Sequence, residues 1–258
     1  MVNYEPYKEY FARMGKDASN VLLIHNFIEP DDLKEINNYL QSHENDDEFM
    51  GGKDIRNDQV TKENPKVALI LEKYEEKIYN EAKKLFTDKY GIPLIRKAAN
   101  STHFVKWIPG MNSKLHCDCE KPDGSPALAA DFYTYNVSVL MYPNDAYDGG
   151  TITFPEYNIV VKPQPGDMIM FPGNNAYRHT VEKVLSGTRY TMPSWYSFDV
   201  KQKRESSDKQ WTYQDSIQLW EGTEDFDKID PIGISARDFN PDTLSVSFLP
   251  LNSPWHSH

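Results

Sequence analysis

Apolar positions change their spacing along the chain, and the changes mark out the elements. Residues 21–25, Val-Leu-Leu-Ile-His, form a short β-rich run, and Glu29-Pro30-Asp31-Asp32 starts a helix whose apolar face is marked by Ile36 and Leu40. A second helix is expected over 67–86, where Leu69, Leu71, Tyr74, Ile78, Ala82 and Leu85 recur at near-helical spacing. Between them, 43–59 (HENDDEFMGGKDIRNDQ) is polar and Gly-containing and is expected to be a mobile loop. From 95 to 196 the pattern becomes short alternating or apolar runs broken by Pro, Gly, Asn and Asp. HFVKWI, YNVSVLMY, GTITF, NIVVK, DMIMF and TRYTMPSWYSF are the strands expected of an antiparallel sandwich or barrel.

Helices followed by strands predict an α+β chain. No period of 20–50 residues repeats, so one domain is expected over 1–258: strand and supporting helices in 1–97, a β core in 98–200 and a covering segment in 201–258. That last stretch is polar and aromatic, carries Pro231, Pro241, Pro250 and Pro254, and offers one further strand at 244–249.

Composition narrows the function classes. Sixteen Tyr, twelve Phe and five Trp supply large buried surfaces that a disordered chain lacks. A net charge of −11 disfavours a nucleic-acid partner, and no apolar run approaches the roughly 20 residues that span a bilayer. The N-terminal residues mix both charge signs without an apolar stretch, so no secretory signal is expected. With only Cys117 and Cys119, one residue apart, a disulfide framework cannot form, and a cytoplasmic setting is the expectation.

The candidate chemistry starts at His116-Cys117-Asp118, after an expected strand at 104–108 and a Pro109-Gly110 turn. In an extended segment residues i and i+2 share a face, so His116 and Asp118 can present an imidazole and a carboxylate to one metal. His179, at the start of another β-rich stretch, is the third candidate. Two His and one carboxylate leave three coordination positions open, the arrangement of non-haem Fe(II) oxygenases. Alone, His-x-Asp is weak, since a surface histidine beside a solvated aspartate has the same spelling. Arg189 follows His179 by ten residues, with Thr191 two further on the same face. A Ser186-Gly187 turn is expected to fold one strand back beside the next and carry the guanidinium toward the metal, where its fork suits a carboxylate.

Over 98–200 the chain resembles the prolyl-hydroxylase branch of the Fe(II)/2-oxoglutarate-dependent oxygenases. The agreeing pieces are FVKWIPG ahead of HCD, then YNVSVLMY, DGGTITFP, PGDMIMFP before His179 and SGTRYTMPSW after it, with NVLLIHNFIEPDDLKEI similar to the family's opening strand and helix. The resemblance implies a double-stranded β-helix (jelly-roll, cupin-like) core, with His116, Asp118 and His179 as iron ligands and Arg189 on the distal carboxylate of 2-oxoglutarate. Tyr142 matches the tyrosine that binds the same carboxylate, Ile152 a pocket wall, and Trp195 a tryptophan near the substrate mouth. Thr191 is included with the cosubstrate residues. Trp107 stands where the family carries a tyrosine, replacing a hydroxyl by an N–H on a bulkier ring. Collagen-type relatives commonly carry Lys at the position of Arg189, whereas oxygen-sensor-type and many bacterial relatives carry Arg. The implied cofactors are Fe(II), 2-oxoglutarate and O2, with ascorbate as reductant. The implied reaction is hydroxylation of a C–H bond, first of a prolyl residue in a peptide or protein, with release of succinate and CO2. Alternatives are another side chain or small molecule, or a non-catalytic metal-binding β-barrel.

Other features read as structural. Cys117 and Cys119 are expected to point away from the ligands as small packing groups rather than to bind zinc. His25, His43 and His103 have no ligand-like spacing, His256 and His258 sit at the chain's end, and the acidic stretches at Asp46-Asp47 and 221–227 read as solvated faces. Gly149-Gly150 and Gly166-Asp167 read as turns.

Overall fold

The computed structural model describes residues 2–44, 54–55, 57–99 and 101–200. The expected cover 201–258, with its strand at 244–249, lies outside the described residues, as do His256, His258, Asp46-Asp47 and the acidic stretch 221–227.

Four α-helices are described: α1 (Glu5–Met14), α2 (Pro30–Ser42), α3 (Asn57–Glu63) and α4 (Pro65–Ala82), the last running on through π-helical turns over Lys83–Asp88. α2 begins where expected, with Glu29 extended at its N-cap, Pro30 in its first turn, and Asp31 and Asp32 complementing the helix dipole. Leu69 is a correction: it is 65% exposed. At about 100° per residue it lies opposite the stripe of Val67, Leu71, Tyr74, Ile78, Ala82 and Leu85, which is buried. The sequence reading had no helix α1, although Tyr7, Phe11 and Met14 bury one face at i, i+4, i+7. The polar loop expected over 43–59 is also corrected, because it contains the strand β2 (Asp54–Ile55) and the start of α3. Buried Ile55, which pairs with Phe104, and buried Val60 are the residues that fold it.

The remaining strands are β1 (Leu22–Ile24), β3 (Phe104–Trp107), β4 (Ser113–His116), β5 (Val137–Met141), β6 (Tyr147–Gly149), β7 (Ile152–Phe154), β8 (Ile159–Val161), β9 (Met168–Pro172), β10 (His179–Val181), β11 (Val184–Gly187) and β12 (Arg189–Tyr196). They form a six-stranded sheet in the order β1-β9-β5-β12-β3-β2, a four-stranded sheet β4-β10-β7-β8 and a β6-β11 pair, antiparallel throughout. From β3 to β5 and from β9 to β12 the chain alternates between the two larger sheets. This is the double-stranded β-helix expected above, and the mixed content is α+β.

Alternation along the central strands explains the apolar runs. Val137, Val139, Met141, Met168, Met170 and Met192 join the helices in one core, whereas Ile169 and Phe171 join Ile152, Phe154 and Val181 of the other sheet in a second. The large sheet is covered on both faces, so its strands read as continuous apolar stretches. β12 pairs with β3 over Arg189–Thr191 and with β5 over Met192–Tyr196, so ladder pairing with β3 stops before Pro193, which has no N–H to offer.

The expected hairpin at Ser186-Gly187 is not formed. Both residues lie in β11, against Asp148 and Tyr147 of β6, and the following residues cross into the large sheet as β12. Gly187 makes that crossing feasible: at φ +73° its Cβ would run into the Ala146 carbonyl. Leu71→Ala is expected to cost about 2–5 kcal/mol of stability, against less than about 0.5 for Leu69→Ala. Urea unfolding of the two variants checks the assignment of the helix face.

Candidate active site

His116 ends β4 and His179 begins β10, and the two are register partners, their ring centroids 4.3 Å apart. Asp118 arrives differently from the expectation. It lies in a bend after β4 rather than in extended chain, and the bend is held by the Asp118 and Cys119 N–H groups, which both donate to the Gly173 carbonyl. One ligand atom from each of the three residues lies within 4.8 Å of the others.

Each ring is oriented by its backbone. His116 Nδ1 donates to the Lys114 carbonyl at 2.7 Å and His179 Nδ1 to that of Tyr177 at 3.3 Å, a role that requires a proton on Nδ1 and leaves Nε2 with its lone pair free. Both Nε2 atoms face Asp118 Oδ1, at 3.5 and 3.9 Å. The other carboxylate oxygen, Oδ2, accepts from the Ser138 hydroxyl and, at 3.0 Å, from Trp195 Nε1. The carboxylate is thereby held with one oxygen for the protein and one for a cation. Burial pushes the Asp118 carboxyl up, but His116, His179 and Ser138 outweigh it and hold the group well below the usual carboxylate range. Burial, aided by His116, pushes His179 down to about 4, so it is neutral near pH 7. Two imidazole nitrogens and a carboxylate oxygen on one side of an open space fit a divalent metal with free positions.

That space is a cavity of about 440 Å³. Its walls come from both sheets: Val105 and Trp107 of β3, Ser138 and Leu140 of β5, Thr191, Pro193 and Trp195 of β12, and Val181 of β10. Two residues before Thr191 on the same face of β12 lies Arg189, fully buried, with none of its guanidinium nitrogens hydrogen-bonded. Its Cζ sits 5.0 Å from the Trp107 ring, 5.4 Å from that of Tyr142 and 6.0 Å from that of Tyr147. The Tyr142 hydroxyl is also buried without a partner. A buried cation and an idle phenol fit a carboxylate that the described residues do not supply.

The structure brings together His116, Asp118, His179, Trp107, Thr191 and Trp195 around the cavity, and Tyr142 beside Arg189. Ile152 is fully buried in the same apolar cluster as Tyr142. Trp107 presents its ring to Arg189 and donates its N–H to Thr191 Oγ1 at 3.0 Å, so the two side chains form one unit. The sequence reading missed Ser138, although a hydroxyl among apolar neighbours on the inner face of β5 was a usable signal. It also missed Tyr147, for which the signal was the adjacent glycine pair. Gly149 and Gly150 have φ of +72° and +64°, and a Cβ on Gly150 would lie 2.7 Å from Arg189 Cδ.

The thiols point away, as expected: Cys117 Sγ donates to the Glu120 carbonyl, and Cys119 lies 3.5 Å from the Tyr4 hydroxyl. His25 pairs with Asp167, His43 with Glu63, and His103 packs on Trp195.

His116→Ala, Asp118→Ala and His179→Ala are each expected to weaken Fe(II) binding at least about 100-fold, and Trp195→Phe about tenfold, by anaerobic calorimetry. In the metal-free protein the unfolded chain takes up a proton at His179 near pH 6.5 while the folded chain resists until about 4. Stability therefore falls as pH drops through that window, by roughly 3 kcal/mol from this group. Urea unfolding of His179→Gln should show that slope reduced.

Residues 102–197 match the family described as the 2OG-Fe(II) oxygenase superfamily. Among curated proteins, a PKHD-type hydroxylase of Prochlorococcus marinus (strain AS9601) is 29% identical over 122 residues, 44% of this chain and 52% of the relative. A putative prolyl 4-hydroxylase of Acanthamoeba polyphaga mimivirus is 23% identical over 72% of this chain and 77% of the relative. The chain thus spans about half the length of the first of these. Among solved structures, the viral collagen prolyl hydroxylase of Paramecium Bursaria Chlorella virus-1 superposes with a TM-score of 0.53 at 16% identity, over 72% of this chain and 99% of that one. A Trichoplax adhaerens prolyl hydroxylase, in complex with a hypoxia inducible factor oxygen degradation domain peptide fragment, gives 0.51 at 17% identity, over 76% and 94%. The fold is theirs, and the segment that matches the 2OG-Fe(II) oxygenase superfamily runs over β3 to β12, a stretch that carries His116, Asp118, His179, Arg189 and the cavity walls.

Proposed function

We propose that this chain hydroxylates a prolyl residue of a peptide or protein, using Fe(II), 2-oxoglutarate and O2 and releasing succinate and CO2. The observation that carries the reading is the buried guanidinium of Arg189, without an anion among the described residues, packed on Trp107, which with Thr191 two residues along β12 lines the cavity that His116, Asp118 and His179 share. Bound Fe(II) would supply the chemistry, coupling oxidative decarboxylation of 2-oxoglutarate to oxygen insertion into an unactivated C–H bond.

The chain's own part is positioning. His116 Nε2, His179 Nε2 and Asp118 Oδ1 would hold the metal, with the Lys114 and Tyr177 carbonyls, Ser138 and Trp195 locking the three side chains in place. Arg189 and Tyr142 would take the distal carboxylate of 2-oxoglutarate, the guanidinium through a two-pronged contact. Ile152 would wall that pocket, while Trp107 and Thr191, tied to each other, would flank it. Leu140, Phe171 and Val181 keep the cavity apolar, which excludes water from the reacting atoms. His103, Pro193 and Trp195 line the same cavity and offer flat surfaces to a prolyl ring.

The finer parts of this reading are a single domain spanning 1–258, a cytoplasmic setting and ascorbate as the reductant that keeps the iron ferrous. Among the described residues no helix is long and apolar enough to cross a membrane.

The test needs no substrate. Anaerobic protein loaded with Fe(II) is titrated with 2-oxoglutarate while following the visible absorption band that a 2-oxo acid gives on chelating ferrous iron. A saturable band is expected, with the half-saturating concentration raised at least about 100-fold in Arg189→Ala, because a buried carboxylate would lose its cationic partner. No band with iron shown to be bound would leave the metal-binding barrel as the better reading. Turnover to succinate stimulated by a proline-containing peptide, and not by its alanine counterpart, checks the substrate class.

A further inference from the structure

Beyond Arg189 and Tyr142, one more buried polar group faces the same spot without a partner. Tyr147 is 4% exposed, and its hydroxyl makes no hydrogen bond. Its ring lies 6.0 Å from the Arg189 Cζ, and a Cβ on Gly150 would lie 3.1 Å from its Cε2 as well as 2.7 Å from Arg189 Cδ. The glycine thus lets the tyrosine and the arginine approach from one side of the chain. Resting on the oxygenase reading, we propose that Tyr147 is a third donor to the distal carboxylate of 2-oxoglutarate, completing with Arg189 and Tyr142 a pocket specific for a dicarboxylate.

The argument is one of unsatisfied groups. A buried polar atom without a partner costs roughly 1–3 kcal/mol, and a buried cation more, so five idle donor atoms converging in one place are not retained by packing alone. The nearby buried carboxylate, Asp167, is engaged elsewhere: Oδ1 pairs with His25 at 3.0 Å and Oδ2 accepts the Gln164 N–H at 2.9 Å. Burial pushes both phenols up, more than the neighbouring guanidinium pulls them down, so both remain protonated donors near neutral pH. A carboxylate has about four acceptor positions and no donor, and three nitrogens of one guanidinium with two phenols match that need. Another phenol hydroxyl buried without a hydrogen bond, that of Tyr157, belongs to a ring that stacks on Tyr177 and is not among those Arg189 faces, which makes it the internal control.

The experiment compares two ligands on the anaerobic Fe(II)-loaded protein: 2-oxoglutarate, and 2-oxobutanoate, which keeps the chelating keto acid and lacks the distal carboxylate. Binding is read by calorimetry and by the visible band, for wild type, Tyr147→Phe and Tyr157→Phe, with the melting temperature of each variant measured alongside. Tyr147→Phe is expected to weaken 2-oxoglutarate about tenfold and leave 2-oxobutanoate and the melting temperature unchanged. Tyr157→Phe should bind both ligands as wild type does. Equal weakening of both ligands in Tyr147→Phe would make the hydroxyl merely structural, and no weakening would make it idle; either overturns the proposal. If the wild type itself binds the two ligands equally well, the carboxylate pocket falls, and with it the role of Arg189. If wild type prefers 2-oxoglutarate and Tyr147→Phe shares that preference in full, only Tyr147 is removed.

Discussion

A guanidinium buried among aromatic rings, with no counter-ion among the described residues, is the constraint around which the β core is organised. Arg189 cannot lose its charge, and the faces of Trp107, Tyr142 and Tyr147 surround it at 5.0–6.0 Å and offset part of its desolvation. The neighbouring architecture serves that placement. Gly150 has no side chain because the arginine stem passes over it, Gly187 turns the chain out of the β6-β11 pair, and β12 carries Arg189 between β3 and β5. An anion that completes the site would stabilise the folded state by mass action, so the unpaired charge also links ligand occupancy to stability.

The cluster of His116, Asp118 and His179 obeys a complementary logic. Its three donors come from two strands of the small sheet and the bend between β4 and the next helical turn, but the groups that fix them belong to the large sheet and to the backbone. Ser138 on β5 and Trp195 on β12 hold Asp118 Oδ2, and Gly173, just past β9, holds the bend. The cluster therefore exists only while both sheets are in register. Trp195 joins two duties here: its N–H orients the Asp118 carboxylate while its ring, stacked on Tyr135, forms part of the cavity wall.

The residue types and their order were legible in one dimension. His116, Asp118, His179 and Arg189 could be singled out because metal ligands and carboxylate-binding forks are chemically distinctive and because several flanking motifs occurred in order. The runs of β5, β9 and β12 were legible because strands covered on both faces are largely apolar, those of β3, β7 and β8 as short β-rich stretches between turn residues, and α2 because Glu29-Pro30-Asp31-Asp32 punctuates its start. The α1 helix was not, since its stripe of Tyr7, Phe11 and Met14 is interspersed with charges of both signs and short of other apolar support. Leu69 was misread for the opposite reason, an apolar residue on the wrong side of an otherwise correct helix.

What the sequence by itself determined is the alphabet of the site: two imidazoles, a carboxylate, a guanidinium and the small residues that permit tight turns. Strand pairing was decided only by the tertiary structure, because register depends on which partners lie opposite, and nothing local to Ser186-Gly187 says whether the chain folds back or crosses to the other sheet. It crosses, and that choice sets Arg189 against Trp107 and beside Tyr142 and Tyr147, residues 82, 47 and 42 positions away in the chain. The same holds for the carboxylate of Asp118, whose orientation is imposed by Ser138 and Trp195 across the barrel rather than by alternation along its own strand. Chemistry is carried by residue identity, but the direction in which each lone pair and N–H points is a property of contacts between segments distant in sequence.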